Sequence, residues 1–205
     1  NVFNLIELAR DSGLRISADM YTYPAAATGL DATMPPWAQE GGHEAWVKRL
    51  QLPSVREKIA EEMLNANSEW ENFFMQAGPE GILLTGFKNP DLRKYTGKTL
   101  QEVSEIIGIS PQLAAMDLVV EDDSRVDAVF FLMSEENVTK QIKKPWMSFG
   151  SDAGAIANEG VFLEKSLHPR AYGNFARVIG KYVRDEQAIT MKEAIRRLTS
   201  LPAKN

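Results

Sequence analysis

Apolar positions along the chain recur with two periods, and the switches between them mark the elements. Val2, Leu5, Ile6 and Leu8 fall at helical spacing and Gly13 follows as a C-cap, so the pattern predicts an opening helix. Leu14 to Tyr21 then reads as a strand, with Ile16, Ala18 and Met20 on one face and Asp19 near its end. Helix, glycine turn and strand make the second half of a βαβ unit. From Tyr21 through Pro35-Pro36-Trp37 to Gly41-Gly42-His43 no period is sustained, which predicts a long loop at a strand end. Ser54-Val55-Arg56-Glu57 has the form of a capping box for a helix to Ala66, and Trp70, Phe73 and Phe74 extend a helical packing surface. Residues 43–76 therefore read as a helical insertion.

Farther along, Ile82–Phe87 is a second strand, and Thr99 with Glu102 caps a helix that ends near Gly108. Ser110-Pro111 supplies the N-cap and first position of a helix to about Val120. The run from Asp127 to Met133 predicts a buried strand. Ser134 then caps a helix with Glu135 and Glu136 in its first turn and lysines in its last, as the helix dipole favours. Trp146–Phe149 is the next strand, Phe175–Val183 is helical, and Thr190 caps a final helix to Thr199. The second half alternates helix and strand, which predicts an α/β fold with a parallel sheet.

The strand ending at Phe149 runs into Gly150-Ser151-Asp152-Ala153-Gly154, a small-residue turn that carries one carboxylate. In α/β folds functional groups sit at strand C-terminal ends. There Asp152 could bind a metal and move a proton from bound water to a leaving amine, or it could simply cap the turn after it. His168-Pro169-Arg170 follows, with the proline stiffening the loop between an imidazole and a guanidinium. Arg170 suits bidentate binding of a carboxylate and His168 suits donation to an oxyanion; an exposed basic loop is the plainer alternative. Tyr21 and Tyr23 end the first strand, where a hydroxyl could orient a substrate or the rings could merely line the core. Together these segments point to hydrolytic chemistry.

Composition narrows the field. A net charge of -5 gives no electrostatic reason to expect nucleic acid or an anionic membrane. No window approaches the ~18 apolar residues that a membrane span needs. The full phosphate-loop spacing around Gly97-Lys98-Thr99 is broken by Leu92. Zero cysteines exclude thiolate metal sites and fit a cytoplasmic protein. The chain holds two histidines, His43 and His168, which is few for a metal centre.

Several motifs occur in order. Asp19-Met20-Tyr21-Thr22-Tyr23, Thr28-Gly29-Leu30-Asp31, Pro35-Pro36-Trp37, Gly97-Lys98-Thr99-Leu100, Ser151-Asp152-Ala153, His168-Pro169-Arg170-Ala171-Tyr172-Gly173 and Thr199-Ser200-Leu201-Pro202-Ala203 together resemble the N-acyl-D-amino-acid deacylases (D-aminoacylases) of the amidohydrolase superfamily. The resemblance implies a zinc-dependent (β/α)8 barrel that hydrolyses the amide of an N-acyl-D-amino acid, a small-molecule substrate. Asp152 would match the aspartate at the end of the last barrel strand, a metal ligand that works as general base and acid. Arg170, with His168 beside it, would match the loop that meets the substrate carboxylate, and Tyr21 a tyrosine of the pocket. The family's early His-x-His pair, its bridging ligand and its two later histidines have no counterpart here. The resemblance therefore implies that residues 1–205 are a single catalytic-domain fragment, the second half of the barrel. The N-terminal barrel strands and the terminal β-sandwich would lie outside it. On this reading the chain alone holds no stoichiometric zinc and has no deacylase activity. Its open sheet edges favour self-association. Two further readings stand beside it: a non-catalytic α/β binding module, and another amidohydrolase of dihydroorotase or dipeptidase type.

Overall fold

The computed structural model describes residues 2–164 and 166–204. In chain order its main elements are α1 (Val2–Asp11), β1 (Ala18–Met20), β2 (Ala26–Gly29), α2 (His43–Leu50), α3 (Pro53–Met63), α4 (Phe73–Ala77) and β3 (Ile82–Gly86). Then come α5 (Leu100–Ile107), α6 (Pro111–Asp122), β4 (Asp127–Phe130), α7 (Glu135–Ile142), β5 (Met147–Phe149), α8 (Arg170–Arg177) and α9 (Met191–Leu198). A π-helix, Val178–Asp185, continues α8 without a break.

The chain divides into two compact units, each with its own core. The first comprises Asn1–Pro24, Ser134–Ile156 and Pro169–Asn205. Its sheet is the parallel pair β1–β5, with Ala18 opposite Met147 and Met20 opposite Phe149. All three β5 residues are buried, as expected of a parallel strand covered on both faces. One side is covered by α1, where Phe3 packs edge-on against Trp146 and Glu7 pairs with Lys144 at 2.7 Å. Val178, Tyr182 and Ala194, from the π-helix and α9, complete this core.

The second unit comprises Ala25–Met133 and Ala157–His168. Its centre is an antiparallel sheet in the order β2-β4-β3. Ala26 lies opposite Phe130 and Ile82 opposite the same residue from the other side. Met63, Leu84, Val103, Met116 and Phe130 are among the residues that fill its core. The helices of region 43–76 are α2, α3 and α4, and all three belong to this larger unit.

Several expectations are corrected. The strand expected over Leu14–Tyr21 shrinks to Ala18–Met20, because among the described residues its strand partner is β5 and the turn after α1 leaves Leu14 exposed. The loop expected over 21–42 contains β2, and β4 is antiparallel to both neighbours rather than part of a parallel sheet. Ser54 does not cap α3: Leu52 is the N-cap and Pro53 takes the first helical position, two residues earlier than a Ser54 cap would place it. The strand from Asp127 ends at Phe130, and Phe131 turns out to solvent. Among the described residues no single helix is long and apolar enough to cross a membrane. A bent pair, α5 with α6, passes by composition, and its apolar residues Leu100, Val103, Met116 and Val119 are buried in the second unit's core.

Candidate functional site

The adjacent strands β1 and β5 lead, past their C-terminal ends, into Tyr21 one residue on and Asp152 three residues on. The ladder continues one residue past β5, where the Gly150 N–H donates to the Met20 carbonyl at 3.1 Å. Two residues on, Asp152 adopts φ 49, a left-handed conformation that Asp tolerates better than most residues. Its side chain is 70% exposed, so the carboxylate stands at the surface of the unit rather than inside it.

Arg170 reaches this carboxylate, with 3.1 Å between the guanidinium and Asp152 Oδ2. It lies on no loop, contrary to expectation: Pro169 is the N-cap and Arg170 the first residue of α8, 8% exposed. A cation at a helix N-terminus is unfavourable against the dipole. The paired carboxylate offsets that, as does the face of Tyr21, whose ring centre lies 4.6 Å from the guanidinium. Burial pushes the Tyr21 phenol above its ordinary range, and the nearby Arg170 charge only partly counters it. Three of the four residues to which the resemblance gives a role, Asp152, Arg170 and Tyr21, thus form one cluster. The fourth, His168, is buried and belongs to the second unit. His43 also lies there, at the start of α2, with its Nε2 3.0 Å from Asp123.

The same helical face carries residues that the sequence reading passed over. Asn174, one turn beyond Arg170, is 1% exposed. Its Oδ1 accepts from the Thr22 N–H at 2.7 Å and the Thr22 hydroxyl at 3.0 Å, while its Nδ2 donates to the Gly150 carbonyl at 2.8 Å. Arg177 donates through Nε to the Thr22 carbonyl at 2.7 Å and through a terminal nitrogen to Glu135 at 3.2 Å. Lys181 and the Tyr182 hydroxyl also donate to Glu135. Burial pushes Glu135 upward, but these hydrogen bonds and the Arg177 and Lys181 charges outweigh it and hold the carboxyl below its usual range. Burial, reinforced by Glu135, raises the Tyr182 phenol far above its ordinary value. A visible signal existed: Arg170, Asn174 and Arg177 fall at i, i+4 and i+7, a polar stripe facing inward while Tyr172 and Phe175 stay exposed.

The spacing also explains Gly173. A Cβ there would sit 2.5 Å from the Tyr23 hydroxyl oxygen, so glycine lets that ring close on the first turn of α8. An apolar cleft of about 610 Å³ opens at the opposite, N-terminal ends of β1 and β5, lined by Phe3, Ile6, Ala18, Trp146 and Met147 among others. Asn137, Lys140 and Gln141 of α7 add to its lining, which does not include Asp152.

A zinc ion takes three or four protein ligands. Among the described residues no three His, Cys, Asp or Glu side chains group closely enough to hold a metal. The described charge partner of Asp152 is a guanidinium, which has no lone pair to offer. The described residues do not by themselves form a zinc site.

No family model matches the chain. Among characterised proteins, an N-acyl-D-glutamate deacylase from Alcaligenes xylosoxydans xylosoxydans is 31% identical over 199 residues, which is 97% of this chain and 30% of the relative. A D-aminoacylase from the same organism is 31% identical over 54% of this chain and 20% of the relative. Among solved structures, the N-acyl-D-glutamate deacylase of Bordetella bronchiseptica, complexed with zinc and a phosphonate inhibitor, superposes with a TM-score of 0.63. It shares 23% identity over 98% of this chain and 31% of its own. A D-aminoacylase described as defining a novel subset of amidohydrolases gives 0.61 at 23% identity, over 99% of this chain and 31% of that one. The chain spans less than a third of the length of each of these proteins. Along nearly its whole length, then, this chain is a relative of the N-acyl-D-amino-acid deacylases, and it shares their fold over the matching part.

Proposed function

We propose that this chain forms part of a metal-dependent amidohydrolase that hydrolyses the amide of N-acyl-D-amino acids, giving a carboxylate and a free D-amino acid. One observation carries the reading: Asp152, at the exit of β5, faces the buried Arg170 at 3.1 Å, beside Tyr21 from the neighbouring parallel strand. We read β1 and β5 as adjacent strands of a (β/α)8 barrel, with α7 as the helix that leads into β5. The parallel register and the buried faces of β5 support this.

In this reading each residue has a task its chemistry suits. The exposed Asp152 carboxylate accepts a proton from the attacking water and returns it to the leaving nitrogen. Arg170 meets the substrate carboxylate while sharing its charge with Asp152. Tyr21, kept protonated by burial, donates from the pocket wall. Metal dependence of the whole protein is part of the proposal, with ligands beyond Asp152 supplied from outside the described residues.

The test is stereochemical. Full-length protein should release free amino acid from N-acetyl-D-glutamate, N-acetyl-D-aspartate or an apolar N-acetyl-D-amino acid, and leave the L-enantiomers intact. The 205-residue chain should turn over none of them and retain no stoichiometric zinc after dialysis, as read by elemental analysis. Equal rates on both enantiomers would sink the assignment.

A further inference from the structure

The polar side chain that joins the two strand exits has no evident packing reason to be polar. Asn174 is 1% exposed, and a buried amide is costly unless its hydrogen bonds are made. Here three are made: two accepted from Thr22 and one donated to the Gly150 carbonyl. Thr22 immediately follows Tyr21, Gly150 lies two residues before Asp152, and Arg170 lies one turn earlier on the helix that carries Asn174. Only a side chain that both accepts and donates can satisfy the two ends at once, which an amide does and a carboxylate or an apolar isostere does not.

We infer that Asn174 is a positioning residue that sets where the Asp152 carboxylate stands relative to Arg170 and Tyr21. This rests on the amidohydrolase reading above. The two ends are not equivalent. Thr22 has a second tether, because Arg177 Nε holds its carbonyl at 2.7 Å. Asn174 is the described side-chain partner of the Gly150 carbonyl. The Gly150 N–H is held separately by the Met20 carbonyl, so loss of the amide frees the Gly150 carbonyl and the turn after it, which carries Asp152, while Thr22 keeps its bond from Arg177. An error of about 1 Å in a reacting group can cost about a hundredfold in rate.

The discriminating variant is Asn174→Asp, which can still accept from Thr22 but cannot donate to Gly150. In the full-length protein, kcat on the best N-acetyl-D-amino acid should fall about ten- to a hundredfold while KM stays within about twofold. Melting curves should show that the variant is folded at the assay temperature. Asn174→Ala, which loses both ends, should lower kcat at least as much and serves if the aspartate variant misfolds. Three results would overturn the inference while leaving the amidohydrolase reading intact: an unchanged kcat, a kcat loss that merely tracks the unfolded fraction, or a rise in KM at constant kcat. A wild-type protein inactive on every N-acyl-D-amino acid defeats the functional reading, and the positioning role falls with it.

Discussion

Arg170 is buried and charged at once, and its surroundings make that tolerable. Removing a guanidinium from water is unfavourable unless a partner replaces the lost solvation. Asp152 at 3.1 Å and the Tyr21 ring at 4.6 Å supply that replacement. Lysine in its place would keep the charge but lose the planar fork that serves a carboxylate and an aromatic face together. Arg170→Lys should therefore raise KM for the acylated D-amino acid by about tenfold or more, the equivalent of about 1.4 kcal/mol. Steady-state kinetics on the full-length protein would show it, and an unchanged KM would remove Arg170 from substrate binding. Asp152 and Arg170 were legible in the sequence because a carboxylate among small residues and an arginine after His168-Pro169 are locally conspicuous. Asn174 was not. A lone asparagine in a helix reads as a solvated position, and only the inward turn of that face against Thr22 and Gly150 gives it a role.

At the scale of elements, local capping signals fared better than strand signals. Thr99 and Glu102 form a complete reciprocal box, and Ser110, Ser134 and Thr190 each accept from the backbone N–H three residues on. These motifs close within one turn, and the one that failed, at Ser54, lost to the adjacent Pro53 rather than to anything distant. β2 was missed because Ala-Ala-Thr-Gly carries little strand preference, and pairing with β4, about a hundred residues away in sequence, makes it a strand. At Thr190 the box is only half made: the hydroxyl accepts from the Glu193 N–H, while the Glu193 carboxylate turns to Arg196 and Arg197. Arg197, 2% exposed, donates onward to the Lys144 carbonyl at 2.9 Å, so α9 fastens the approach to β5. The hydrogen bond from Arg196, aided by Arg197 and opposed by desolvation, lowers the Glu193 carboxyl from an ordinary 4.5 to about 2. A depressed acid stabilises the fold above its unfolded value and loses that contribution as pH falls through its folded one. Stability of the first unit should therefore decline between about pH 4.5 and about 2. Glu193→Gln should flatten that decline, as read from denaturation midpoints across the window. An identical acid limb in the variant would show that other carboxylates govern it.

For the whole molecule, two cores on one chain are the dominant fact. The buried cluster of the second unit runs from Leu30 to Phe130, so all of it lies between Ala25 and Met133. That segment should fold by itself, with a cooperative melt and the fluorescence of buried Trp46 as reporter. A molten or unfolded segment would show that it needs the rest of the chain. This arrangement was hidden in the sequence, because a compact insertion leaves no linker, repeat or composition shift at its borders. Its borders also govern how the cluster at Asp152 comes to exist. Ala18 must find Met147 across a loop on the order of a hundred residues, a closure that is entropically costly and slow. Ala26 pairs with Phe130, so folding of the inserted unit draws the two ends of that loop together and leaves only short arms to close. The expected order of assembly is the insertion first, the β1–β5 pair second, and the meeting of Tyr21 with Asp152 and Arg170 last. A mutation deep in the insertion, far from any reacting group, would then act on the rate at which competent molecules appear while the turnover of those already formed stays the same.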